Sequence, residues 1–157
     1  MKFVVDENAG RLARWLRLMG YDTRLFSGRD DGQMIKIALT EGRTMLTRDR
    51  QILRRRLVTS GKVKAVLLHD DNPWTQLQQV MGTLKLEPYY RPFSICLECN
   101  EPLVPREREA VRDLVPVYVF QTQSQYTQCP KCRRVYWRGT HWEAMNRQLK
   151  SLRDATR

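Results

Sequence analysis

At 157 residues the chain is long enough for one ordinary domain, or for one domain carrying a small stapled module. No stretch reaches the roughly 18 apolar residues of a membrane span, and Asp6, Glu7 and Arg11 interrupt any export-signal-like run at the start. The expectation is a soluble, cytoplasmic protein with no membrane partner. A formal net charge of +11, from 28 Lys and Arg against 17 Asp and Glu, points to a polyanionic partner, nucleic acid above all. Arginine supplies most of that charge, and its planar fork suits phosphate.

Residues 1–86 alternate strand and helix. Phe3 to Val5 is a short apolar strand ending on Asp6. A helix is predicted over residues 10–19, because Leu12, Trp15, Leu16 and Met19 stand at i, i+3, i+4 and i+7, with Gly20 as its cap. Residues 21–26 read as a second strand and 27–32 as a loop. A helix over 33–41 stops at Gly42. A third strand (44–47) leads into a helix over 50–58, and a fourth strand (63–68) into a helix over 75–84. Four strands alternating with four helices imply an α/β fold, a parallel sheet with helices on both faces.

The texture changes after Leu86. Pro88 and Pro92 mark a linker, so residues 1–86 are expected as one domain and 87–157 as a second unit. Residues 117–120 and 135–137 are β-rich runs. The end is helical, opened by a Thr140-x-x-Glu143 capping box, with Trp142, Met145, Leu149 and Leu152 on one face.

Three acids fall at strand ends: Asp6 after the first strand, Asp31 after the second and Asp49 after the third. In an open parallel sheet these positions share the carboxyl edge, where such sheets place their chemistry. Carboxylates gathered there repel one another unless a cation sits among them, and an oxygen-rich set suits Mg²⁺ or Mn²⁺. Such a metal activates water and stabilises charge on a phosphodiester. Each acid also has a plain structural reading, since Asp31 and Asp49 precede helices where Asp is a favoured cap, worth about 1 kcal/mol. Glu7, Asp70 and Asp71 are further candidate ligands. Arg11, Arg14, Arg17 and Arg48 flank the acids and can guide a phosphate backbone, whereas Arg54, Arg55 and Arg56 read equally as a solvated face.

Cys96-x-x-Cys99 and Cys129-x-x-Cys132 are two knuckles of a structural zinc site with four thiolate ligands and no open position. Lys131, Arg133 and Arg134 can offset its negative charge. Tyr126, Tyr136 and Trp137 read either as base-stacking residues or as the small core a ribbon needs.

These motifs resemble a known family. Phe3-Val4-Val5-Asp6, the run from Gly10 to Asp22, Asp31 seven residues before Ala38, and Gly42 to Asp49 are similar to the Mut-seven C-terminal ribonuclease family, as are Cys96-Leu97-Glu98-Cys99-Asn100, Cys129-Pro130-Lys131-Cys132 and Tyr136 to Trp142. The resemblance implies a PIN-like three-layer parallel sheet with helices on both faces, followed by a small C-terminal four-cysteine zinc ribbon and a terminal helix. It implies a ribonuclease dependent on Mg²⁺ or Mn²⁺, with Asp6, Asp31 and Asp49 as its metal-binding acids and RNA as its substrate. The alternative is a non-catalytic RNA-binding protein gripping through its basic surface and ribbon. PIN-like domains often pair, so a homodimer is one arrangement the resemblance allows.

Overall fold

Phe3, Val4 and Val5 are wholly buried, and the strand that carries them, β1 (Lys2–Asp6), lies inside a four-stranded sheet. The computed structural model describes residues 1–155. β1 is flanked by β2 (Thr23–Phe26) and by β3 (Arg43–Thr47), with β4 (Ala65–Leu67) beyond β3, giving the order β2-β1-β3-β4. Every pairing is parallel, Val5 lying opposite Leu25 and Leu46.

The side-chain period of two then assigns the faces. Phe3, Val5 and Leu46 join one core with α1 (Gly10–Leu18) and α4 (Pro73–Leu84), while Val4 and Met45 join another with α2 (Asp31–Glu41). The sheet is covered on both sides, as the alternation predicts.

Two elements differ from expectation. The helix predicted over 50–58 is a 3-10 turn (Ile52–Arg54) and a short helix α3 (Arg56–Thr59), broken where Arg55 is extended (φ −64°, ψ 141°). Ile52 and Val58 both pack on the α2-side core. Six residues of continuous helix would turn them about 120° apart, so the break lets both reach it. The β-rich run at 117–120 is instead helical, α5 (Val117–Thr122). Pro116 accepts from the backbone N–H of Val119 and Phe120, and Val119 alone of that run is fully buried. A one-sided burial of this kind overrides β-propensity.

The ribbon's strands are β5 (Val104–Arg106), β6 (Tyr126–Gln128) and β7 (Val135–Tyr136), an antiparallel sheet of order β5-β6-β7. Helix α6 (Thr140–Ala155) follows. Its Leu149 and Leu152 are buried in the same cluster as Leu12, Leu16, Leu77 and Val80 of α1 and α4. The last helix of the chain thus crosses the boundary expected at residue 86 and helps close the core of the first.

The ribbon's first knuckle sits on the amino edge of the sheet. Asn100 donates Nδ2–H to Asp22 Oδ1 (2.6 Å) and accepts the Thr23 N–H (2.8 Å). Arg43, with 8% of its side chain exposed, donates to Asp22 Oδ1 (2.7 Å), Glu41 Oε1 (2.8 Å) and the Phe3 carbonyl (3.0 Å). Gly20 takes φ 95°, and a Cβ there would lie 2.2 Å from the Arg91 carbonyl oxygen. Only glycine allows both the turn and that approach of the linker, whose Arg91 N–H donates to Met19 O (2.9 Å).

Two outcomes follow. Leu152→Ala empties a site on the first domain's core, and a loss of about 2–5 kcal/mol in denaturant unfolding is expected; near-wild-type stability would mean α6 only rests on the surface. Burial opposes the charge of Asp22, but bonds from Arg43 and Asn100 hold its carboxyl below the usual 3.8. The folded state therefore prefers Asp22 ionised, so its stabilisation is present above pH 3.8 and is lost as pH falls through the depressed value. Asp22→Asn is expected to lower Tm at pH 7 and to flatten the acid limb of a Tm–pH profile, which differential scanning calorimetry measures.

Candidate active site and cysteine centre

The sheet is wholly parallel, so residues just past each strand's carboxyl end share one edge. Asp6 ends β1, Asp31 is the first residue of α2 after β2, Asp49 lies two residues beyond β3, and Asp70 follows β4. The winding also reverses here. The chain leaves β1 toward β2 on one side, and leaves β3 toward β4 on the other. The crevice between the carboxyl ends of β1 and β3 is the switch point at which open α/β sheets bind ligands, and Asp6 and Asp49 flank it.

Local hydrogen bonds fix each acid. Asp6 Oδ1 accepts the Asn8 N–H (3.2 Å), capping a 3-10 turn (Glu7–Ala9). Asp49 Oδ1 accepts the Gln51 N–H (2.8 Å), and its own N–H donates to Oγ1 of buried Thr47 (3.0 Å). The cap of α2 is Asp30, which accepts the Gly32 N–H at 2.8 Å. Asp31 is thereby released from the capping duty its position suggests. Burial, then the charge and a shared hydrogen bond of Asp49, push the Asp31 carboxyl above its usual 3.8, against the pull of Arg55. Asp31 therefore lies near enough to Asp49 to feel its charge. Among the described residues, the only group of three or more ligand atoms drawn within 4.8 Å of one another is the cysteine one, so the acids are spaced more widely than that.

The loop after β4 is more ordered than its sequence suggests. Buried Gln76 donates to the Asp70 carbonyl (2.8 Å), and Gln79 bridges the Leu67 carbonyl (2.6 Å) and the His69 N–H (3.0 Å). Asp70 Oδ1 accepts the Asn72 N–H (2.7 Å). That bond, with help from Arg48, holds the Asp70 carboxyl low. The signal in the sequence is the pair of glutamines, Gln76 and Gln79, about one turn apart on α4.

The arginines divide. Arg11 and Arg48 are exposed at the acidic edge, Arg11 in the first turn of α1 and Arg48 beside Asp49. Arg17, expected on the substrate side, is only 6% exposed. It lies about 9 Å further along α1 than Arg11, toward the sheet's amino edge, and donates to the carbonyls of Thr23 (2.9 Å) and Leu97 (2.8 Å). It ties the ribbon to the sheet, out of reach of a substrate at the acids. Arg14 is exposed and pairs with Glu98 of the first knuckle. Arg55, read as equally a solvated residue, is close enough to lower Asp31.

In the ribbon the four cysteine sulfurs lie within 4.8 Å of one another. A tetrahedral site with Zn–S of about 2.3 Å has S···S edges of about 3.8 Å, and Cys96 Sγ to Cys132 Sγ is 3.7 Å. The two knuckles are the same turn used twice. Cys96 N–H donates to Glu101 O and Asn100 N–H to Cys96 O; Cys129 N–H donates to Arg134 O and Arg133 N–H to Cys129 O. Asn100 and Arg133 both take left-handed φ, 62° and 67°. Tyr136 stands behind the site, its hydroxyl 3.1 Å from Cys96 Sγ and accepting the Leu97 N–H. Burial, then the Cys96 sulfur, push its phenol up. The donor set fits Zn²⁺, with every position filled by protein.

The aromatic residues also divide. Tyr126 is 3% exposed and donates to the Val119 carbonyl at 3.0 Å, a core residue; Trp137 is half-buried against the same small cluster.

The conjunction of an acidic switch-point edge with an integral four-cysteine ribbon is decided by comparison with known families. The chain belongs to the Mut7-C RNAse domain family. The family profile matches residues 1–149, a span that takes in the sheet, the ribbon and most of α6. Membership implies a nuclease, with an RNA-related function. No curated protein and no solved structure matches the chain. No helix among the described residues is long and apolar enough to cross a membrane.

One Zn²⁺ per chain is expected by native mass spectrometry. Cys129→Ser should lose it and weaken docking of the first knuckle, read as faster exchange of the Thr23 amide; retention of stoichiometric zinc would contradict the four-cysteine site.

Proposed function

We propose that the chain is a ribonuclease that hydrolyses RNA phosphodiester bonds at the carboxyl edge of the sheet, with Asp6, Asp31 and Asp49 holding Mg²⁺ or Mn²⁺. The observation that carries this reading is the nearness of Asp31 to Asp49 at the β1/β3 switch point of a chain in an RNase family. A divalent ion bound there supplies a more acidic water and neutralises charge that builds on the phosphate.

The chain's own residues do the rest. Thr47 fixes the backbone of Asp49 through its hydroxyl, and Asp30 takes the helix cap, leaving Asp31 free to act as a ligand. Arg11 and Arg48 neutralise and orient the phosphate backbone that the carboxylates alone would repel. Asp70, held by Gln76 and Asn72, is the fourth acid best positioned to join them. The ribbon, with its Zn²⁺, is a structural and RNA-gripping part, not a second reaction centre.

The second reading, a non-catalytic RNA-binding protein, draws on the fact that Asp6 and Asp49 already accept backbone N–H groups as ordinary turn caps. The two separate cleanly. With Mn²⁺ the wild type is expected to cleave RNA, and Asp6→Asn and Asp49→Asn to lose roughly 100-fold or more in kcat/KM, the counterpart of about 3 kcal/mol of transition-state stabilisation. Both variants should keep their zinc and Tm. Intact RNA with Mn²⁺ or Mg²⁺, or undiminished cleavage by both variants, would overturn the nuclease reading and favour the binding one.

A further inference from the structure

A cleft of about 550 Å³ lies away from the acids, between α1, the ribbon, α5 and the first turn of α6. The volume falls within the range of ligand pockets, about 300–1,000 Å³. Phe93, Tyr118, Trp137 and Trp142 give it aromatic walls. Tyr118 is 68% exposed, which a residue serving the ribbon's core would not be. The rim is net positive. Arg14, Arg134 and His141 line it, and its single acid, Glu98, is already paired with Arg14. Arg138 stands over the rings of Trp142 (4.9 Å) and Phe93 (5.4 Å), adding a further cation at the same wall.

Aromatic faces under a positive rim are how proteins hold unpaired bases, each base stacking while arginines meet the phosphates. The cleft is also joined to the acidic edge by α1. Arg14 and Leu18 line it, and Arg11, one turn before Arg14, stands at the acids.

We propose that this cleft is a binding site for the unpaired bases of single-stranded RNA, and that a strand seated in it runs along α1 so that an adjoining phosphodiester reaches the acidic edge. The site makes the protein selective for single strands, because bases already paired in a duplex have no free face to offer Tyr118 or Trp137. The proposal rests on the nuclease reading for RNA as substrate and for the acidic edge as the place where the strand is cut.

The test uses the full zinc-loaded chain without added Mg²⁺ or Mn²⁺, and two probes: a fluorescein-labelled single-stranded oligouridine and a labelled RNA duplex. By fluorescence anisotropy, Tyr118→Ala is expected to weaken oligouridine binding by about 5- to 150-fold, the range expected for one lost stacking contact, with little effect on the duplex. Val117→Ala, on the same helix but outside the cleft, should bind as wild type. Oligouridine should quench tryptophan fluorescence, and Trp137→Phe should remove part of that quench while Trp74→Phe, half-buried against Trp15 and outside the cleft, should not.

Wild-type affinity in Tyr118→Ala, with binding that falls only in Arg48→Ala, would overturn the proposal and leave the cleft to a protein partner. Cleavage with Mn²⁺ is read separately. Cleavage whose KM for oligouridine is untouched by Tyr118→Ala overturns this inference alone. Tyr118-dependent binding without any cleavage overturns the nuclease reading and supports this one.

Discussion

Because β1 has β2 on one side and β3 on the other, the chain departs from the ends of β1 and β3 in opposite directions, and a crevice opens between them. The remaining features of the acidic edge depend on that reversal. It brings Asp6 and Asp49 to the same edge, and the loop after β2 places Asp31, the first residue of α2, near Asp49. Burial and then the Asp49 charge raise the Asp31 carboxyl there, Arg55 offsets part of that effect, and the proposed divalent ion would offset the rest. Neighbouring residues then act as supports: Asp30 and Thr47 absorb local backbone demands that the functional acids would otherwise meet.

The opposite edge of the sheet has a different task. Amino-terminal strand ends leave backbone groups that need partners, and the ribbon's Asn100 supplies one by accepting the Thr23 N–H while donating to Asp22. Arg17 donates to a carbonyl of each part, and Arg43 to the Phe3 carbonyl of the sheet. With α6 closing the α1/α4 core, the linker at 87–92 joins two halves that are already fastened at two other points. The ribbon is therefore held at the end of α1 remote from the acids, and any role it has with RNA is exercised along that helix.

Much of this was legible in the sequence, for physical reasons that differ by element. Apolar runs marked the strands, whose sheet is buried on both faces, and one-sided apolar spacing with clear stops marked α1, α2 and α4, the broken helix at 50–58 being the exception. The cysteine spacing carried its own geometry. What escaped was decided by tertiary contact. Arg17 is chemically indistinguishable from Arg14 on a helical wheel until the ribbon is seen to bury it. Residues 117–120 have strand-like side chains, yet only Val119 has a core to enter. Asp70 looked like loop until Gln76 and Gln79, a turn apart on α4, were seen to hold that loop. The cleft behind α1 is built from four separate elements, and no local pattern announces it.

The central claim is that the acids at the switch point bind a catalytic divalent ion, and anomalous diffraction from crystals soaked in Mn²⁺ tests it most directly. The expected result is a manganese peak in contact with Asp31 and Asp49, with Asp6 at the same site. Crystals whose only metal peak is the four-cysteine zinc, with Asp6 and Asp49 still bound to the Asn8 and Gln51 amides alone, would contradict it.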